Sequence, residues 1–143
     1  MKILIVNGPN LNLLGTRDTG IYGAGTLQEL QSFISNSFKE HEISFFQSNI
    51  EGEIINKLQE AMKDGTEGLV TNLGAYTHTS VALRDALEPI NFPKVEVHIS
   101  NIHARETFRE KSLTGEVMDG IITGFGKYSY ILGVQALEHL SNQ

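Results

Sequence analysis

Apolar and polar positions follow two alternating rhythms along the chain. Short apolar runs at Lys2–Asn7, Ile43–Gln47, Gly68–Asn72, Lys94–Ile99 and Gly120–Gly124 are too brief for helices and predict strands. Between them, Leu27–His41 carries Leu27, Leu30, Phe33, Ile34 and Phe38 at helical spacing. Glu51–Lys63 likewise places Ile54, Ile55, Leu58, Ala61 and Met62 on one helical face. A helix over Ser80–Leu87 is expected to stop before Pro89, and a last one runs from about Tyr128 to Leu140. Strands separated by helices imply right-handed crossovers and a parallel sheet. The expected architecture is therefore α/β: a flavodoxin-like three-layer sandwich around a five-stranded parallel sheet. No linker, repeat or low-complexity run interrupts residues 1–143, which predicts one domain.

In an open sheet of this kind, ligands sit outside the carboxyl ends of the strands. Gly8-Pro9-Asn10-Leu11-Asn12-Leu13-Leu14-Gly15 follows the first strand. Asn72-Leu73-Gly74-Ala75-Tyr76-Thr77-His78-Thr79-Ser80 follows the third, and His98-Ile99-Ser100-Asn101-Ile102-His103-Ala104-Arg105 ends the fourth. Asn, Ser and Thr also serve as caps and turn residues, but capping does not require two histidines. Alternation along the fourth strand puts Glu96, His98 and Ser100 on one face and Val95, Val97 and Ile99 on the other. A carboxylate beside an imidazole fixes its tautomer and favours a charged general acid; the alternative is a buried pair that only packs. Residues of about 16–25, between Gly15 and the first helix, are rich in glycine and contain Arg17 and Tyr22. They read as a mobile lid in which a guanidinium supports a phenolate base, or else as an ordinary surface loop.

Composition narrows the partners. The net charge of −6 gives no support for nucleic-acid binding. The chain has no cysteine, which excludes disulfides and thiolate metal sites and fits a cytoplasmic location. The apolar start is too short for a signal peptide or a membrane span. No phosphate-loop or HExxH pattern is complete, and His98 and His103 are not spaced to share a metal. No cofactor and no metal are therefore expected. His41 and His139 fall near helix C-termini and read as surface residues. A phosphorelay receiver would need acids where Asn7 and Asn72 stand, and a flavin or nucleotide binder would need a phosphate cradle where Pro9, Leu11, Leu13 and Leu14 stand.

Three blocks carry a resemblance. Asn7-Gly8-Pro9-Asn10-Leu11-Asn12-Leu13-Leu14-Gly15 resembles the opening signature of type II dehydroquinases. Gly74-Ala75-Tyr76-Thr77-His78-Thr79-Ser80 with Arg84-Asp85-Ala86 resembles their second block. Glu96-Val97-His98-Ile99-Ser100-Asn101 with Arg105-Glu106 and Arg109 resembles their third, and the blocks occur in the family's order. The resemblance implies cofactor-free elimination of water from 3-dehydroquinate to 3-dehydroshikimate through an enolate. It implies Tyr22 as base, Arg17 as the group that eases its deprotonation, Asn10 as holder of a water on the enolate oxygen, and His98 backed by Glu96 as acid. Ile99 and Ser100 would grip the substrate carboxylate, Asn72 would position that end, and His78 and Arg109 would bind ring hydroxyls. Asp85 would act across a subunit boundary in a homododecamer of four trimers. The family serves the shikimate pathway and also quinate breakdown. Two departures stand out: Leu73 replaces a usual proline, and Asp18-Thr19-Gly20 replaces a common Glu-Pro pair, which predicts a looser lid before closure.

Overall fold

The structure is a computed structural model and describes residues 1–16 and 25–143. Five strands form an all-parallel sheet: β1 (Lys2–Asn7), β2 (Glu42–Gln47), β3 (Gly68–Asn72), β4 (Lys94–His98) and β5 (Gly120–Thr123), in the order β2-β1-β3-β4-β5. The helices are α1 (Leu27–Ser37), α2 (Glu51–Ala61), α3 (Tyr76–Thr79), α4 (Val81–Leu87) and α5 (Tyr128–Ser141). Ile3, Ile5, Val70, Val95 and Val97 pack on one face against Leu30 and Ile34 of α1 and Tyr130, Val134 and Leu137 of α5. Leu4, Val6 and Leu69 pack on the other against Ile54 and Leu58 of α2 and Leu83 and Leu87 of α4. The three layers and the flavodoxin-like strand order are those expected from the alternating pattern.

Boundaries differ from the periodicity at particular residues. α1 ends at Ser37, four residues before the pattern does, because Phe38 leaves helical geometry (φ −138°, ψ 62°) and turns its ring into the core. His41 is consequently no surface residue. Its side chain is 9% exposed, its Nε2 lies 2.9 Å from Glu138 Oε2, and its ring stacks on Phe38. Ser80 is the cap of α4 rather than its first residue: its Oγ accepts a hydrogen bond from Leu83 N at 2.9 Å. The single turn of α3 was not expected, since one turn is too short to carry a period. Lys94 is buried, and its ammonium donates to the carbonyls of Leu87 (2.6 Å) and Glu88 (3.3 Å), satisfying the end of α4 just before Pro89.

The sheet changes direction of winding between β1 and β3, so a crevice opens where their carboxyl ends diverge. Two glycines let the loops there meet backbone to backbone. Gly8 N donates to Asn72 O at 2.8 Å, and a Cβ at Gly8 would stand 2.4 Å from Leu73 O. Gly74 has φ +60°, and a Cβ there would lie 3.1 Å from Pro9 O. No helix among the described residues is long and apolar enough to cross a membrane.

Candidate active site

A cavity of about 130 Å³ opens at the carboxyl ends of β1, β3 and β4. Asn10, Asn72, His78, His98, Ile99, Ser100 and Arg109 line it, so seven of the positions picked out in the sequence converge on one place. Asn10 takes a left-handed conformation (φ 72°), which Asn tolerates better than most residues, and its backbone N–H donates to Asn49 Oδ1 at 2.9 Å.

Glu96 stands behind His98 and is fully buried. His98 Nε2 lies 2.8 Å from Glu96 Oε2, which leaves Nδ1 as the ring nitrogen available to the cavity. Burial pushes the Glu96 carboxyl upward, but hydrogen bonds and charge from His98, with bonds from Thr114 (2.5 Å) and Ser112 (2.8 Å), outweigh it and hold the carboxyl below its ordinary value. The arrangement is an anion-backed imidazole.

His78 has a different character. Its Nδ1 lies 2.8 Å from the carbonyl of Lys111, which accepts, so Nδ1 carries the hydrogen and Nε2 is left as an acceptor. Burial lowers its pKa, against the Lys111 carbonyl, and the charges of His98 and Arg109 add to the lowering. The His78 and His98 rings stack 6.1 Å apart at 24°. Two imidazoles side by side therefore face the cavity, one held through Nε2 by Glu96 and the other through Nδ1 by the Lys111 carbonyl.

Asn72 is aimed from the core. Its Nδ2 donates to the Tyr130 hydroxyl at 2.9 Å, that hydroxyl donates to Asn7 Oδ1 at 2.6 Å, and Asn72 Oδ1 accepts from Gly74 N at 3.3 Å. Burial raises the Tyr130 phenol far above its usual range, so it stays a hydroxyl. Leu73 is fully buried against the α2 and α4 layer.

Asp85 does not line this cavity; it is exposed on α4, with Arg84 Nη1 at 3.4 Å. Arg17, Tyr22 and the Asp18-Thr19-Gly20 departure lie outside the described residues. Arg105 also lines the cavity; the sequence carries it only within the third resembling block, with no role attached. Tyr130, Ser112 and Thr114 gave no signal: the first sits in an apolar helix and the other two in a polar stretch without period.

A parallel α/β sheet that collects two stacked imidazoles, one backed by a buried carboxylate, with asparagine amides and an arginine at its winding reversal defines an acid–base site for a small, polar, hydroxylated molecule. Residues 1–138 match the family described as Dehydroquinase class II. The 3-dehydroquinate dehydratase of Thermotoga neapolitana is 53% identical over 145 aligned positions, covering 100% of this chain and 98% of the relative. That of Clostridium beijerinckii is 51% identical over 140 residues, 96% of each. The crystal structure of a type II dehydroquinase from Butyrivibrio crossotus superposes with a TM-score of 0.95 at 48% identity, covering 96% of this chain and 97% of that one. The chain belongs to the class II dehydroquinase family.

Proposed function

We propose that this protein is a 3-dehydroquinate dehydratase that acts in the shikimate pathway, without a cofactor or a metal. The observation that carries the reading is the convergence of Asn10, Asn72, His78, Ile99, Ser100, Arg109 and the His98–Glu96 pair on one cavity. Elimination beside a ketone needs a base, an enolate stabiliser and an acid for the departing hydroxyl. Tyr22, as phenolate eased by Arg17, removes the proton from the carbon next to the carbonyl. The electron pair moves onto the ketone oxygen, where a water held by Asn10 stabilises the enolate. The enolate then collapses, the ring C=C bond forms, and the C–O bond breaks as His98 gives its proton to the hydroxyl, which leaves as water. Return of a proton from Tyr22 to His98 through solvent resets the site, and the net change is loss of one water.

Ile99 and Ser100 hold the substrate carboxylate through backbone amides and the serine hydroxyl. Asn72 positions that end, while His78 and Arg109 take the ring hydroxyls. The neutral Nε2 of His78 suits a hydroxyl donor. The whole of residues 1–143 acts as one domain with a lid at about 16–25, whose described ends lie close together, a Cβ at Gly15 standing 2.9 Å from Gly25 O. We place the enzyme in the cytoplasm and in a homododecamer of four trimers. Asp85, turned away from its own chain's cavity beside the exposed Val81, is suited to a neighbour's site.

The test is addition of 3-dehydroquinate while ultraviolet absorbance of the conjugated product is followed. Wild type produces the signal; Tyr22→Phe and His98→Asn each lose about 10²-fold or more of kcat, as expected for removal of a general base or acid. An inactive wild type, or an undiminished Tyr22→Phe, sinks the reading.

A further inference from the structure

The segment between the Thr107–Arg109 turn and β5 is polar, lacks a period and contributes nothing to the cavity lining, yet it reaches both site histidines from behind, His78 directly and His98 through Glu96. Lys111 presents its carbonyl to His78 Nδ1 at 2.8 Å. Ser112 Oγ and Thr114 Oγ1 donate to Glu96 at 2.8 and 2.5 Å. Leu113 N donates to Thr77 O at 2.9 Å, which pins the segment to the residue preceding His78.

The hydrogen count of Ser112 agrees with donation to Glu96. Ser112 Oγ already accepts from Gly115 N at 2.8 Å, and a hydroxyl has one proton to give. That proton goes to Glu96. With Thr114 and the His98 N–H, three donors converge on a carboxylate that is closed to solvent. Were Glu96 protonated, one of these hydroxyls would have to turn from donor to acceptor and the carboxyl would lose a donor that favours its charge.

We propose that Ser112 and Thr114 are positioning residues which keep Glu96 an orienting anion that never accepts the proton of His98, while the Lys111 carbonyl fixes the opposite, acceptor-presenting tautomer of the neighbouring His78. This rests on the dehydratase reading above and deepens it. Glu96 then acts on His98 by alignment, and the proton delivered to the leaving hydroxyl comes from the cavity-side nitrogen alone. The lowered carboxyl of Glu96 accords with this. Among the described residues, the titratable and charged groups facing the Glu96–His98 pair include His78 from α3 and Arg109 from the turn beyond, while β3 and β5 place Thr71 and Ile121 opposite Glu96.

Thr114→Val keeps the shape of the side chain and removes the hydroxyl; Ser112→Ala removes the other; Thr114→Ser restores a hydroxyl. The double variant is expected to lose about tenfold or more of kcat, a fraction of the general-acid contribution of about 10²–10⁴, with little change in KM. The acidic limb of its kcat–pH profile moves to higher pH, because Glu96 protonates more readily, and Thr114→Ser recovers most of the rate. Imidazole ¹⁵N NMR of wild type without substrate should find His78 as the Nδ1–H tautomer at neutral pH, and in the double variant the His98 signals should change. Wild-type kcat and pH limb in a folded double variant, or His78 found as Nε2–H, overturns the proposal. The tautomer measurement needs no turnover, so a wild type inactive on 3-dehydroquinate defeats the functional reading and leaves this inference to stand or fall on the NMR result.

Discussion

Tyr130 carries a hydroxyl into the middle of an otherwise apolar layer, 58 positions along the chain from Asn72 and 123 from Asn7. A fully buried phenol is kept only where its oxygen finds partners, and here the partners are the last residues of β1 and β3. Tyr130→Phe leaves Asn7 Oδ1 and Asn72 Nδ2 without that partner. Urea unfolding should register a loss of about 1–3 kcal/mol, the cost of stranding buried polar atoms, and KM should rise as Asn72 loses its aim. Gly8→Ala tests the close backbone approach: its Cβ would collide with Leu73 O, and a variant as stable as wild type in urea would contradict the geometry. At this scale the sequence was legible where local geometry decides. Alternation along one strand was enough to pair Glu96 with His98. It was silent on Ser112 and Thr114, which reach Glu96 only because the chain returns 16 and 18 residues later.

Elements were legible in proportion to length. β1 and β3 are nearly continuous apolar runs because a parallel sheet covers both faces at its centre, and α1, α2 and α5 each bury a stripe, so pattern and structure coincide there. α3 and the short 3-10 turns escaped, being held by caps and neighbours instead of periodicity. Ser80 illustrates the point: it caps α4 and also donates to Glu51 Oε2 of α2 at 2.5 Å, joining two helices of one layer. Ser80→Ala should cost about 1 kcal/mol or somewhat more in urea, most of it from the lost cap. Hydrogen exchange should then rise in α4 and the start of α2 before it rises in β4.

Across the whole molecule, buried charge makes stability depend on pH. The Glu96 carboxyl titrates below its ordinary value of 4.5 in the folded chain, so its contribution is complete above about 4.5 and is lost as pH falls through the folded value. His78, lowered from 6.5, acts in the same direction: neutral when folded, it favours the fold above about 6.5 and loses that contribution as acid forces it to charge. At fixed protein concentration, the urea midpoint should decline from near neutrality downward and fall faster below about 4.5. Glu96→Gln should blunt the lower part of the decline, and a midpoint flat from pH 7 to 4 would contradict both assignments.

The Tyr130 bridge has a further consequence for synthesis of the chain. A ribosome that has delivered all five strands, but still holds α5 in its exit tunnel, displays a sheet with part of one side bare and with Asn7 and Asn72 waiting for a partner. If Asn72 positions substrate as proposed, that competence arrives late, with α5, and a nascent chain stalled just short of it displays bare apolar surface.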